Sequence, residues 1–270
     1  RDFLGAGTFA YDRKLNSKTR TRCMTAFLGI DVGGSGIKAA LVDSVTGELL
    51  SDRHRVDTRH PSTPTKMSKS IRKLVGEFDY DGRVGCCFPT IVVDGVAKSA
   101  SNLGEAWRDT AIDETFSEAT GLPFTVLNDA DAAAMAEMQM GAGVGLDGMI
   151  MTITVGTGIG SGLFYHGHLV PNIEVGHMPY KKGRPIEAYA SDRARKENDL
   201  DWDEWGERFN YFLGRVVRVF SPDHIILGGG VSKKLDRFEH KLDISTPIRP
   251  AKFLNNAGII GAAMAAREAS

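Results

Sequence analysis

Two stretches decide how this chain reads: D-V-G-G-S-G-I-K at 31–38 and T-V-G-T-G-I-G-S-G at 154–162. Each joins two strand-like runs, F-L-G-I-D-V (27–32) to G-I-K-A-A-L-V-D (36–43) and M-I-M-T-I-T-V (149–155) to S-G-L-F-Y (161–165). Glycines in such loops let backbone N–H groups turn toward an anion, which suits a polyphosphate chain. Tight hairpin turns use the same residues, and one loop alone does not separate the two readings. A third cluster, G-G-G-V-S-K (228–233), follows the strand H-I-I-L (224–227) and favours phosphate binding. Two other glycine motifs do not fit. A P-loop needs G-x-x-x-x-G-K-[ST], which does not occur, and a dinucleotide fingerprint opens a helix, whereas both loops here enter strands.

Outward from these loops, the same order of elements occurs twice. After the first loop the alternation runs through a turn at Thr46–Gly47 to Val56, giving an antiparallel meander. Residues 64–78 form an amphipathic pattern with Met67, Ile71, Leu74, Val75 and Phe78 on one face, and R-V-G-C-C-F (83–88) is a strand ended by Pro89. F-T-V-L-N-D (124–129) is a buried strand that leads directly into an Ala/Met-rich helix over 130–140. The second half adds a helix over 202–220 and a last helix after Gly258. Strand, glycine loop, strand and hairpin open both halves, which predicts an α/β architecture of two similar lobes with a cleft between them.

Composition excludes several classes. At 42% hydrophobic and 25% charged over 270 residues, the chain is neither disordered nor a coiled coil; 29.3 kDa is room for one large domain or two small lobes. No run approaches the ~20 uncharged apolar residues of a membrane span, so no membrane partner is expected. Lys and Arg number 33 against 34 Asp and Glu, a net charge of −1, so no nucleic-acid partner is expected either. Three cysteines, with Cys86 and Cys87 adjacent, make neither a disulfide framework nor a C-x-x-C zinc pair, which points to a reducing, cytoplasmic compartment. Residues 1–23 stand apart, with six basic residues against Asp2 and Asp12; the remainder holds 27 basic and 32 acidic residues, a body at −5. Without a compact apolar run this segment is no secretory signal. It reads as a disordered extension upstream of Met24, with an organelle-targeting segment as the other reading.

In this order the three glycine clusters resemble the two phosphate motifs and the adenosine motif of the sugar-kinase/actin/Hsp70 superfamily. Between them, L-N-D-A-D-A-A-A-M-A-E (127–137) is similar to the N-D-A-x-A-A-A-x-x-E signature of the ROK sugar kinases. E-V-G-H (174–177) matches that family's E-x-G-H, and I-E-A-Y-A-S (186–191) resembles its L-E-A-Y-A-S. The resemblance covers residues 27–267, and the wording is nearest the polyphosphate-using glucokinase branch. It implies a two-lobed, ribonuclease H-like α/β fold with an interlobe cleft. The expected lobes are 24–127 and 128–257, with the helix of 258–270 returning to the first. It also implies a homodimer.

The family pattern then assigns residues. Asp129 closes a strand and opens a helix, whose positive end favours an ionised carboxylate at neutral pH. Such a group orients a hydroxyl and accepts its proton in phosphoryl transfer; capping the helix is a second role open to Asn128 and Asp129. Asp131, one helix step on, is expected to be structural. Asn128, Glu174, His177 and Glu187 are implied as sugar contacts together with Asp129. Asn102 in S-A-S-N-L is a further candidate, or an ordinary loop cap. The pair Glu174 and His177 also reads as metal ligands, but no third ligand lies nearby. Around the phosphates the resemblance places Asp31, Gly33, Gly34, Ser35, Gly36, Thr157 and Gly158, with Mg²⁺ held through Asp31 and water. Gly229, Gly230 and Lys233 lie where a nucleotide sits. Lys38 either reaches a phosphate or is solvated at its strand end.

Two departures matter. Many ROK proteins carry a zinc-binding C-x-C-G-x-x-G-C before L-E-A-Y-A-S, where this chain has M-P-Y-K-K-G-R-P (178–185), so no structural zinc is expected. The family's Pro-Gly in the sugar loop is Pro89-Thr90, which puts a hydroxyl beside the substrate. The implied activity is phosphorylation of the 6-hydroxyl of glucose, with mannose as a second sugar, from inorganic polyphosphate and/or ATP. For a long polyanion, two basic groups are expected to line the cleft mouth: Lys181, Lys182, Arg184, Arg193, Arg195 and Lys196, and Lys233, Lys234, Arg237 and Lys241. A strictly ATP-dependent hexokinase is the alternative enzyme, and a silent sugar sensor the alternative class. A ROK repressor would need a DNA-binding domain of ~70 residues before the first strand.

Overall fold

The computed structural model of the chain describes residues 25–100 and 103–270. The expectations for residues 1–23 and for Asn102 lie outside the described residues.

The first half opens with β1 (Ala26–Val32), β2 (Gly36–Asp43) and β3 (His54–Asp57), an antiparallel meander whose register sets Asp31 opposite Lys38. Helix α1 (Pro64–Val75) starts on Thr63, whose hydroxyl accepts the Lys66 N–H, and has proline at its first turn. It stops at Gly76, short of the predicted 78, and Phe78 packs against the core from the following loop. Then come β4 (Val84–Phe88), the small hairpin of β5 (Val92–Val93) and β6 (Val96–Ala97), α2 (Ile112–Thr120) and β7 (Phe124–Asn128). Helix α3 (Asp129–Met140) follows β7 with no residue between them.

The second half repeats the plan with β8 (Met149–Val155), β9 (Ile159–Tyr165) and β10 (His168–Val170). Short helices α4 (Glu187–Ala190) and α5 (Asp192–Glu197) lead to α6 (Trp202–Phe220), which starts on a reciprocal Asp201–Glu204 cap. Strands β11 (His224–Gly229) and β12 (Ile248–Pro250) and helix α7 (Ala257–Glu268) complete the chain.

The sheets run β3-β2-β1-β4-β7 and β10-β9-β8-β11-β12. In each, three antiparallel strands are extended by two strands parallel to the first of the half. This duplicated arrangement is the two-lobed α/β fold. Three large cores and one small cluster hold it among the described residues. Trp107, Phe116 and Phe88 pack with α1 and α2 on the outside of the first sheet, while Trp205, Phe209, Phe212 and Phe238 pack on the outside of the second. Between the sheets lie α3 and α7, rich in alanine and packed tightly: a Cβ on Gly261 would stand 1.7 Å from the Ala132 carbonyl oxygen. That contact fixes the start of α3, and with it Asp129, against the ends of both sheets.

Candidate active site

A cavity of about 720 Å³ opens between the two sheets. Its wall brings together Gly33, Gly34, Ser35, Asn128, Asp129, Thr157, Gly158, Glu174, His177, Glu187 and Gly229 from the sequence-derived set. Asp31, Gly36, Lys38, Gly230 and Lys233 do not line it. Lys38 Nζ bonds Asp31 Oδ2 at 3.1 Å, as their register dictates, and the Cys87 thiol donates to Asp31 Oδ1 at 3.5 Å. Gly230 and Lys233 are exposed in the helical turn after β11.

Asp129 is the first residue of α3, at the floor of the cleft. Its carboxyl is pushed up to about 7 by burial first, then by the negative charges of Asp31 and Glu174; the N–H groups of Ala130 and Asp129 pull weakly the other way. This corrects the expectation of a fully ionised group at neutral pH. The helix end acts in the direction supposed, but burial beside two carboxylates outweighs it. Asn128 caps the helix: its Oδ1 accepts the N–H groups of Ala130 at 2.8 Å and Asp131 at 3.1 Å. Its Nδ2 donates to the Thr90 carbonyl at 2.9 Å and to Glu174 Oε1 at 3.4 Å. The cap therefore also sets the distance between the loop at 89–90 and Glu174.

Glu174 is held locally by β9. The Ser161 hydroxyl donates to the Ile173 carbonyl and accepts the Val175 N–H at 3.1 Å, which locks the turn on both sides of Glu174. Burial raises the Glu174 carboxyl and Glu187 adds to the rise, while His177, 4.0 Å away, and the Asn128 amide oppose it. Glu187 Oε2 accepts the Ile159 N–H at 2.9 Å. A Cβ on Gly158 would stand 2.5 Å from that same oxygen, so a larger residue where the second loop passes Glu187 would push the Glu187 carboxylate aside. The Glu174, Glu187 and Asp129 carboxyls thus crowd acceptors into one wall, an arrangement suited to a neutral ligand rich in hydroxyl donors.

The first glycine loop is braced from behind. The Thr58 hydroxyl donates to the Gly33 carbonyl at 2.6 Å, His60 Nε2–H to the Gly34 carbonyl at 2.9 Å, and Arg55 Nη2 to the Ser35 carbonyl at 3.0 Å. In a trans peptide the C=O and N–H point opposite ways. Three carbonyls drawn toward residues 55–60 therefore turn the Gly34 and Ser35 amides to the other side, where the loop lines the cleft. Sequence reasoning missed Thr58 and His60, since nothing in their spacing announces a loop 25 residues away in the chain. In the second loop the Gly156 carbonyl accepts the Arg193 N–H at 3.2 Å.

A sequence model of the ROK family matches residues 27–194. The chain belongs to the ROK family. A polyphosphate glucokinase of Mycobacterium tuberculosis (strain ATCC 25618 / H37Rv) is 40% identical to this ROK chain over 238 residues, 88% of it and 89% of the relative. Among solved structures, the inorganic polyphosphate/ATP-glucomannokinase from Arthrobacter sp. strain KM superposes with a TM-score of 0.86 at 40% identity, over 91% of this chain and 100% of that one. A ROK family glucokinase from Streptomyces griseus, in complex with glucose and AMPPNP, gives 0.77 at 26% identity over 90% and 99% of the two chains.

Two further expectations meet the ROK structure here. Of the ten basic residues expected at the cleft mouth, Arg193 is the one that lines the cleft among the described residues. Arg195 and Lys196 pair with Asp192 at 2.9 and 2.7 Å, and Lys241 pairs with Asp203 and Glu207 at 3.4 and 3.2 Å. Three of the ten are thus engaged by acidic neighbours on α5 and α6. The Thr90 hydroxyl bonds the Ser99 carbonyl at 2.7 Å and the Ser99 hydroxyl at 2.9 Å, so it secures a loop.

Proposed function

We propose that this ROK protein transfers the terminal phosphoryl group of inorganic polyphosphate or ATP to the 6-hydroxyl of glucose. The observation that carries this reading is the place of Asp129, between the polar set Asn128, Glu174, His177 and Glu187 and the two glycine loops in a single cavity. The polar set grips the sugar through its hydroxyls. Asp129, as carboxylate, accepts the hydroxyl proton while that oxygen bonds to the terminal phosphorus. The bond to the bridging oxygen breaks, and its electron pair leaves on the shortened chain or on ADP. The Gly34 and Ser35 amides, with Thr157 and Gly158, hold the phosphates in line.

Mg²⁺ belongs to the same proposal. Asp31 pairs with Lys38 behind the cleft wall but lies near enough to raise the Asp129 carboxyl, and with that pair opened the two carboxylates would fit a divalent cation. Asp31 would hold it through water, and the ion would supply charge neutralisation on the phosphates. Mannose is the second sugar proposed, and the assembly a homodimer with the lobe boundary near 127–128. A cytoplasmic location suits the two unpaired, buried thiols of Cys86 and Cys87.

A strictly ATP-dependent hexokinase is favoured by one observation, the ion pairing of Arg195, Lys196 and Lys241 away from the cleft. A donor panel separates the two. Long-chain polyphosphate, ATP and GTP are offered with glucose, mannose and N-acetylmannosamine; glucose 6-phosphate from both polyphosphate and ATP is expected. Product from ATP alone selects the hexokinase, and no product from any pair overturns the reading.

A further inference from the structure

One residue outside the sugar set joins the three segments that carry that set. Asn172 follows β10, two residues before Glu174, with a left-handed backbone (φ 62) that asparagine adopts more readily than most residues. Its N–H donates to Asp131 Oδ2 at 2.8 Å, on α3 two residues past Asp129. Its side chain reaches into the first half of the chain: Nδ2 donates to the Val92 carbonyl at 2.8 Å, and Oδ1 accepts the Val92 N–H at 2.9 Å. Val92 has both groups to offer because of the hairpin register. The Lys98 N–H donates to the Ile91 carbonyl at 2.8 Å, so by antiparallel alternation the next residue points its N–H and C=O away from β6. Val92 in turn lies two residues after Thr90, whose carbonyl takes the Asn128 amide.

We infer that Asn172 is a positioning residue, a clasp that pairs its amide with the open edge of β5 and so fixes the spacing of the sugar site. The sugar loop at 89–92, the start of α3 and the turn carrying Glu174 and His177 are all anchored on it. Asn172 is absent from the cavity wall, so it acts through these neighbours. Asp131 supports the assignment independently. It is 2% exposed, gives one oxygen to Asn172, and its Oδ1 has no hydrogen-bond partner among the described residues. A carboxylate kept in so dry a place costs stability, and what it holds is the Asn172 N–H.

The inference rests on the reading of the cleft as a glucose site, and its test has one arm that does not. Asn172→Gly retains the left-handed backbone and the N–H to Asp131 and removes only the amide. Hydrogen exchange without sugar is expected to speed up in peptides spanning 90–99. Under turnover, the KM for glucose is expected to rise about tenfold, the scale of one or two lost hydrogen bonds, while the KM for ATP stays within about twofold. Asp131→Asn, which still offers an oxygen to the Asn172 N–H, should keep the glucose KM within about twofold of wild type; Asp131→Leu should reproduce Asn172→Gly. Unchanged exchange at 90–99 overturns the clasp. Faster exchange with an unchanged glucose KM, or equal rises for both substrates, overturns the positioning role. A wild-type protein that phosphorylates no sugar overturns the glucose reading instead, and the clasp is then decided by exchange.

Discussion

Asp129 carries two opposed electrostatic influences, and their balance sets how the site responds to pH. Its helix-end amides lower the carboxyl, while burial, Asp31 and Glu174 raise it to about 7. Only the carboxylate accepts a proton, so kcat/KM for glucose is expected to climb through about pH 7 and to fall with acidification below it. A rate profile from about pH 5.5 to 8.5 checks this, and a flat profile across 7 would contradict it. The same shift bears on stability. A carboxyl whose folded pKa lies above its usual 3.8 opposes folding once the unfolded chain ionises. That penalty grows from about pH 4 to 7 and is complete above. Asp129→Asn is therefore expected to raise the melting temperature most at alkaline pH, by about 2–4 °C for each kcal/mol relieved, and to raise it little near pH 4. The position of Asp129 was legible in the sequence, because a buried strand running into Asn-Asp and an alanine helix has few other readings. Its protonation was not, because Asp31 and Glu174 come from other strands and loops that only the fold brings near.

The glycine loops could be read from residue type, but what orients them could not. The brace comes from Arg55 on β3 and from Thr58 and His60 just beyond it, and alternation along a strand does not say which loop its side chains reach. Thr58→Val and His60→Ala should each raise the KM for the phosphoryl donor about three- to tenfold, with the glucose KM little changed. Thr58→Ser and His60→Gln, which keep a donor, should restore it. Effects on the glucose KM alone would show that the brace serves another end. Helix α1 was legible through its period, α3 through its alanine content after a buried strand, and α6, α7 and the long strands were read as well. Helix α2 was missed because it buries only Ile112 and Phe116 and has no capping side chain, and β5 and β6 because two residues each leave no alternation to read. Residues 178–185 close on themselves through the Tyr180 N–H to the Arg184 carbonyl at 2.7 Å, with Tyr180 stacked on Tyr189. No zinc is expected there, and metal analysis of the purified protein should find well under one zinc per chain.

Across the whole molecule, charge is expected to govern which donor the cleft holds. The body from residue 24 onward is acidic, and Arg193 is the one Lys or Arg lining the cleft among the described residues. Lys181, Lys182, Arg184, Lys233, Lys234 and Arg237 are left for the outer reach of a long chain. Charge reversal at Lys181, Lys182 and Arg184, or at Lys233, Lys234 and Arg237, is expected to raise the KM for polyphosphate much more than that for ATP. Raising salt from ~50 to ~200 mM should separate the donors in the same direction, since a long polyanion displaces more counterions; equal effects on both would place the polyphosphate path elsewhere. On the function proposed above, the duplicated sheet order, with α3 and α7 clamped between the halves, serves to hold Asp129 between a sugar and a phosphate chain. The most direct test compares wild type with Asp129→Asn, following glucose 6-phosphate by phosphorus NMR and glucose binding by calorimetry. Turnover in the variant is expected to fall ~10²–10⁴-fold, with the glucose Kd within about twofold of wild type. A variant that keeps more than about a tenth of wild-type turnover would contradict the account, because a general base cannot be removed at so small a loss.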